Sequence, residues 1–261
     1  MKRLVLFLAL LTLLVCTAAA ETVTLSSGAN SVTVMSSSAT ETVLQYRIGS
    51  FEKIPVNIDG SEWYHILMPK EGVSQEKGYP QLPVFNRSII IDNNALMALD
   101  VYDLEYQDIE LPVAPSKGVI TRNIDPATIP YVFDEVYNKN AFYPATPAEL
   151  SDPYIMRDFR GIVVKTTPFA YNPATRTLRV YTAFKIRVHA AGIDTLNTLN
   201  RSRTSISRDF VSLYENRFIN WDSFRYTPVD DSFGKLLVIC HTNYMSTIQP
   251  YVNWKIQKGI P

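Results

Sequence analysis

Thr177-Leu178-Arg179-Val180-Tyr181-Thr182-Ala183-Phe184-Lys185-Ile186-Arg187-Val188-His189 alternates with a period of two over its whole length. Leu178, Val180, Thr182, Phe184, Ile186 and Val188 fall on one face. Arg179, Tyr181, Ala183, Lys185 and Arg187 fall on the other. Successive side chains of an extended chain point to opposite sides, so this is the pattern of a strand with one buried and one solvated face. Tyr171-Asn172-Pro173-Ala174-Thr175 supplies turn chemistry just before it. With Ile162-Val163-Val164 further upstream, 162–190 reads as a hairpin.

Working outward, the same period recurs. Residues 84–92 read as a strand centred on Ile89-Ile90-Ile91, and 43–48 alternate. Residues 95–106 place Met97, Leu99 and Val101 on one face, and Leu96, Ala98, Asp100, Tyr102 and Leu104 on the other. Residues 21–41, rich in Ser, Thr, Val and Ala, read as a first strand or a lead-in. Helical spacing is scarce: Phe210, Leu213, Tyr214 and Phe218 fit one short helix with Ser207 as its N-cap. The polar 195–204 stretch reads as a linker. Asp152, Arg157, Asp158 and Arg160 form a mixed-charge cluster, expected to be a solvated turn or local ion pairs. The fold class is mainly β.

After residue 225 the pattern changes. Lys235-Leu236-Leu237-Val238-Ile239-Cys240 is nearly continuously apolar, as in a parallel strand buried on both faces. Ile248, Tyr251, Val252 and Ile256 then recur at helical spacing. Ser246 or Thr247 is the expected cap, Pro250 falls in the first turn and Gly259 is the stop. A lone strand and helix cannot bury their apolar faces, so this unit is expected to open a longer domain.

Composition narrows the function. Lys plus Arg and Asp plus Glu are both 25 in 261 residues, so no basic field points to nucleic acid. Lys2 and Arg3 precede an apolar run over residues 4–15, and Ala18-Ala19-Ala20 ends it. That is a signal peptide over 1–20, cleaved between Ala20 and Glu21, and too short to span a bilayer. Cys16 at the end of the run admits a lipoprotein reading, against which Val15 is bulky. Removal of Cys16 leaves Cys240 alone, so no internal disulfide is expected. No membrane segment is expected in the mature form.

Chemistry is sparse. Cys240 and His241 are adjacent, and neighbours on a strand point apart. There is no HExxH, CxxC, GxSxG or phosphate loop. No catalytic residues, metal site or cofactor are expected. Two arginines sit in loops. Arg122 lies in Pro115-Ser116-Lys117-Gly118-Val119-Ile120-Thr121-Arg122-Asn123-Ile124-Asp125-Pro126. It fits either an extended, substrate-like presentation of a basic side chain or an ordinary surface arginine. Arg225, before Tyr226-Thr227-Pro228-Val229 and Asp230-Asp231-Ser232, fits either a processing site or a plain linker.

An ordered series of short motifs resembles the gingipain-type cysteine endopeptidases of Bacteroidetes, from about residue 42 to the end. The series runs Gly78-Tyr79-Pro80-Gln81-Leu82-Pro83-Val84, Pro115-Ser116-Lys117-Gly118, Arg122 with Asp125-Pro126, Ile129-Pro130-Tyr131 and Phe142-Tyr143-Pro144. It continues with Arg157-Asp158-Phe159-Arg160-Gly161 and Pro168-Phe169-Ala170-Tyr171-Asn172-Pro173. Phe224-Arg225-Tyr226-Thr227-Pro228-Val229 resembles the activation junction of the Arg-specific members. Val252-Asn253-Trp254-Lys255 with Gly259-Ile260-Pro261 resembles their first catalytic-domain helix.

The resemblance implies an antiparallel β-sandwich-like pro-domain over 21–225, then over 226–261 the truncated start of a caspase-like α/β/α domain. It implies latency during export to the periplasm and then the cell surface or exterior, and assistance to folding. The partner would be the cognate cysteine peptidase catalytic domain, in cis or in trans. The family's inhibitory loop maps to Lys117 and Arg122, with Arg122 entering the specificity pocket; a guanidinium suits a carboxylate-lined pocket. Release would follow cleavage between Arg225 and Tyr226. The family's catalytic His and Cys and its calcium ligands would lie beyond position 261, so this chain by itself is expected to be inactive. A stand-alone secreted inhibitor or chaperone and a β-sandwich adhesion or carbohydrate-binding module are the competing readings.

Overall fold

The computed structural model describes residues 19–201, 205–224, 226–229 and 235–260. In chain order its strands begin with β1 (Glu21–Thr24), β2 (Ser31–Ser37), β3 (Glu41–Arg47), β4 (Ser50–Ile58), β5 (Ser61–Leu67), β6 (Gly72–Val73), β7 (Pro83–Ile90) and β8 (Ala95–Glu110). They continue with β9 (Ala148–Leu150), β10 (Tyr154–Met156), β11 (Phe159–Thr166), β12 (Phe169–Asn172), β13 (Thr177–Ile193) and β14 (Ile206–Ser207). Helix α1 (Arg208–Arg217), β15 (Pro228–Val229) and α2 (Met245–Gln257) follow.

β13 is the centre of the first sheet. Along one edge it pairs antiparallel with β8 over its whole length; along the other it pairs with β12 and then β3, and β3 pairs with β2. Leu178, Val180, Phe184, Ile186 and Val188 are buried, as their alternation requires. Thr182 departs from the pattern. The register slips on either side of Ala183, and the Thr182 carbonyl accepts the Ile48 N–H at 2.9 Å. On the solvent side Arg179 makes two 2.8 Å bonds to Asp108, Lys185 reaches Asp103 at 2.9 Å, and Arg187 and His189 share Asp100. Exposed pairs of this kind set register more than they add stability.

The second sheet is built on β11, with β7 on one edge and β9 and β10 on the other. The hairpin expected over 162–190 is therefore shorter: β12 and β13 form it, and 162–166 belongs to the opposing sheet. The switch comes at Pro168, which has no N–H to continue a ladder. The two sheets share one core. Tyr46 stacks on Phe184 at 4.8 Å, Phe51 meets Phe169 edge-on at 5.5 Å, and the Thr166 hydroxyl donates to the Tyr46 hydroxyl at 3.1 Å. Burial pushes the Tyr46 phenol up to about 12 and keeps it neutral. A third sheet, β1-β4-β5, joins this core through Phe51 and Ile66.

Arg160 overturns the expectation of a solvated charge cluster. Its side chain is fully buried. Nε donates to the Asn197 carbonyl at 3.0 Å; one terminal nitrogen reaches the Asp92 and Ala95 carbonyls at 3.0 and 2.8 Å; the other reaches Asp194 Oδ2 at 2.6 Å and the Leu196 carbonyl at 3.0 Å. These bonds tie β11 to the chain after β7 and to the chain after β13, so that Asp194 and the start of the 195–204 stretch form a structural joint. A guanidinium can be desolvated only when its donors are met in this way.

Ile89-Ile90-Ile91 is buried on both faces for a different reason. Ile89 and Ile91 face the main core, whereas Ile90 joins an outer cluster with Phe159, Ile206, Tyr214, Phe218 and Trp221. α1 supplies that cover. Ser207 is its N-cap by backbone geometry but makes no side-chain cap bond. Gly161 permits the close approach, since a Cβ there would lie 2.7 Å from a Phe218 ring carbon. Asn220, almost wholly buried, substitutes for a strand: its Oδ1 accepts the Ile90 N–H at 2.8 Å and its Nδ2 donates to the Ile90 carbonyl at 3.0 Å.

Beyond the sandwich, 235–240 forms no strand; Leu237 and Ile239 are 81% and 86% exposed. The expected strand has no neighbouring strand among the described residues to pair with. α2 starts at Met245, with Tyr244 rather than Ser246 or Thr247 at the cap position, so Pro250 falls in its second turn, not its first. Gly259 closes the helix at φ +77° as expected. No helix among the described residues is long and apolar enough to cross a membrane.

The contrast between the two arginine types is testable by urea denaturation. Arg160→Met should cost about 3–5 kcal/mol, because it strips buried acceptors of their donor. Arg187→Met, whose partner Asp100 is half-exposed, should cost less than about 1 kcal/mol.

Candidate functional site

The 111–147 connection between β8 and β9 contains no strand. Its first part is nevertheless buried: Leu111, Val113, Ala114 and Ser116 are core residues. It threads between β5 and the 79–81 strip. Tyr64 donates to the Pro112 carbonyl and accepts the Ala114 N–H, both at 2.8 Å. Gln81 donates to the Ala114 carbonyl at 3.0 Å, and Ser116 donates to the Tyr79 carbonyl at 2.8 Å.

From this seam a loop of residues 117–133 rises and returns, with both its feet on Gly78. The Gly78 N–H donates to the Ser116 carbonyl at 2.9 Å, and the Asp134 N–H donates to the Gly78 carbonyl at 3.1 Å. Gly78 sits at φ +86°, and a Cβ there would lie 3.2 Å from both the Asp134 nitrogen and its Cβ. Only glycine meets both demands without strain. Asp134 Oδ1 accepts the Val136 N–H and opens a 3-10 turn, Glu135–Asn138, whose Tyr137 hydroxyl donates to the Val113 carbonyl at 2.9 Å.

Aromatic packing stiffens the base. Trp63 on β5 lies 4.9 Å from Phe133 and 6.0 Å from Tyr137, ring to ring. His65, two residues along β5, makes a 2.9 Å bond between Nε2 and the Tyr131 hydroxyl. Its Nδ1 is buried without a hydrogen-bond partner. Burial first, and the Lys117 ammonium second, hold the His65 pKa below its ordinary value. Burial also raises the Tyr131 phenol.

The two basic residues assigned to this loop part company. Lys117 turns inward: Nζ donates to the Pro126 carbonyl at 2.9 Å and lies 4.3 Å from the Tyr131 ring centre. Arg122 is at the exposed tip. The stretch around it is a turn rather than extended: the Ile124 N–H donates to the Thr121 carbonyl at 3.0 Å, with Arg122 and Asn123 between them. Asp125 Oδ1 then accepts the Ala127 N–H at 2.9 Å, capping the Pro126–Thr128 3-10 turn. Among the described residues Arg122 has no ion-pair or hydrogen-bond partner. Val119, in the same loop, is 73% exposed.

The other expected sites lie elsewhere. Arg225 is outside the described residues. Tyr226 packs 5.9 Å from the Phe159 ring. Residues 1–18, with Cys16, are also outside; Ala20 is exposed and Glu21 opens β1, 3.2 Å from Lys53. His241 Nδ1 accepts the Asn243 N–H at 3.2 Å, and Cys240 Sγ contacts Met245 Sδ at 3.4 Å. No group of three or more His, Cys, Asp or Glu among the described residues could hold a metal ion. Sequence reading missed Gly78 as the double foothold, although its Gly-Tyr-Pro context marks a turn. Nothing in the sequence marks His65 or Trp63 as the loop's support.

Because the folded His65 binds a proton less readily than the unfolded chain, its contribution is complete above about pH 6.5 and is lost as pH falls below that. The urea midpoint should therefore drop between pH 7.5 and pH 5.5. The drop should be smaller in His65→Gln.

The family model Propeptide_C25 matches residues 22–229. The chain is 39% identical over 193 residues to Gingipain R2 of Porphyromonas gingivalis strain W83, covering 73% of the chain and 26% of that relative. It is 36% identical over 223 residues to Gingipain R1 of Porphyromonas gingivalis, covering 81% and 22%. The chain thus spans about a quarter of the length of these curated relatives. In three dimensions it superposes on a chain of the complex of Porphyromonas gingivalis RgpB pro- and mature domains with a TM-score of 0.67 at 32% identity, covering 74% of this chain and 97% of that one. A structure of the zymogenic latency of gingipain K from the same organism shares the fold, with a TM-score of 0.58 at 18% identity over 67% of this chain and 100% of that one.

Proposed function

Since the chain belongs to the Propeptide_C25 family, the pro-segments of gingipain zymogens, we propose that its β-sandwich keeps a cysteine peptidase domain latent by standing the 117–133 loop in that domain's cleft. The observation that carries this is the double foothold on Gly78, which presents an exposed Arg122 on a rigid base. Pre-ordering removes much of the entropy that binding would otherwise cost. An arginine without an internal partner keeps its planar fork for a carboxylate-lined pocket. Lys117 serves the loop from within, and Arg122 makes the outward contact.

The peptidase partner is the family's catalytic domain, reached in cis within one precursor or in trans. The neighbouring RgpB structure, a complex of pro- and mature domains, supports a partner of that kind. In this reading the protein is exported by its first 20 residues to the periplasm and then to the surface or exterior, assists folding of the peptidase, and is released by a cut after Arg225. The carbohydrate-platform alternative gains nothing from the outer face of β8 and β13. There the Arg179 guanidinium lies 3.9 Å from the Tyr106 ring centre and 4.1 Å from that of Phe142, occupying a sugar's place.

Two measurements test the proposal. The chain from Glu21 onward should inhibit an Arg-specific family peptidase, and Arg122→Ala should raise the inhibition constant at least thirtyfold, about 2 kcal/mol. An unchanged constant removes Arg122 from the contact. In a precursor, Arg225→Ala should abolish the mature product that begins at Tyr226, read by N-terminal sequencing; normal maturation would refute the junction assignment.

A further inference from the structure

After α1 the chain folds back onto the outer cluster it has just built. Pro228 and Val229 pair in parallel with Ile206 and Ser207, two residues that are almost wholly buried. Tyr226 is 37% exposed, its ring against Phe159. Phe224 packs into the cluster of Phe159, Tyr214, Phe218 and Trp221. A cavity of about 150 Å³ lies between these parts, lined by Phe159, Ile206, Phe224 and Tyr226. Residues on both sides of the 225–226 bond are therefore held by the β domain itself.

We propose that the surface made by Phe159, Ile206, Ser207 and α1 is a binding site for the peptide Tyr226-Thr227-Pro228-Val229. This peptide must leave the site before a protease can cut the bond in front of it. The inference rests on the reading that maturation cleaves after Arg225, for only then does the peptide become a new N-terminus. The physical ground is competition for one backbone. A protease grips its substrate as an added strand, through main-chain hydrogen bonds on both sides of the scissile bond. The backbone of 228–229 is already engaged with 206–207, Phe224 is packed on the outer cluster, and one side of the Tyr226 ring lies against Phe159. Cleavage then follows the population in which the segment has opened, not the intrinsic preference of the enzyme. After the cut the same contacts tie the new N-terminus to the β domain. Together with the 117–133 loop they form a second point of attachment, which raises the effective concentration of each for its site.

The test uses the full chain and added trypsin, with each cut timed by mass spectrometry. Ile206→Ala removes buried surface from the site without altering any residue next to the bond. Val229→Asp puts a charge on the peptide side at a half-exposed position. Both variants should be cut after Arg225 at least tenfold faster than the parent, while the Arg160-Gly161 bond, buried within β11, stays intact. In the parent, the bond after the exposed Arg122 should be cut before the junction. Equal junction rates in the parent and both variants would overturn the site. So would acceleration that appears only together with cutting at Arg160, since that reports general unfolding. Trypsin reads the site whether or not maturation uses Arg225, so a failure of the junction assignment, seen in the Arg225→Ala precursor, remains distinct from a failure here.

Discussion

The core contact on which the rest stands is the stack of Tyr46 on Phe184, held beneath the Thr166 hydroxyl. Among the described residues Cys240 is the only cysteine, so no disulfide joins the sheets. What joins them is burial, and this contact puts β3, β13 and β11 in one place. The phenol stays neutral and has its hydrogen bond, so desolvating it carries no orphaned polar group. Once the two sheets are registered around it, the β5 edge and the 79–81 strip stand at a fixed spacing. The buried 111–116 seam fits between them, and Gly78 can hold both ends of the loop. A shift of β5 would separate His65 and Trp63 from Tyr131 and Phe133.

The alternating strands were legible because water reads them directly. In 177–189 each buried apolar residue has a charged neighbour, and the cross-strand partners Asp100 and Asp108 are themselves spaced for the other strand of the pair. The failures share one cause, which is that burial is decided by elements distant in sequence. Arg157-Asp158-Phe159-Arg160 looks like a solvated turn, yet Arg160 is desolvated because carbonyls after β7 and after β13 converge on it. Ile90 looks like half of an apolar run, yet a helix more than 100 residues later covers it. Leu236 to Cys240 has the composition of a doubly buried strand and no sheet to enter among the described residues. At the site, Arg122 was legible as a basic residue in a loop bounded by turn residues. Its turn geometry, the inward role of Lys117 and the footing on Gly78 depend on backbone bonds that no local pattern encodes.

The loop and the junction segment draw on different supports. The loop depends on the main core through Val113 and Tyr64, whereas residues 226–229 depend on the outer cluster through Phe159 and Ile206. Losing one set of contacts therefore need not release the other. In the proposed function, the 117–133 loop can therefore stay in place while residues 226–229 open, and separation comes last.

In the proposed function the sandwich is a scaffold and the 117–133 loop is the part that silences the peptidase. Replacing residues 119–129 with two Gly-Ser pairs leaves Gly78, Lys117, Tyr131, Phe133 and Asp134 in place. The account predicts a urea midpoint close to that of the parent chain and no measurable inhibition of an Arg-specific family peptidase. A loop-shortened domain that folded and still inhibited at the parent's concentration would contradict it.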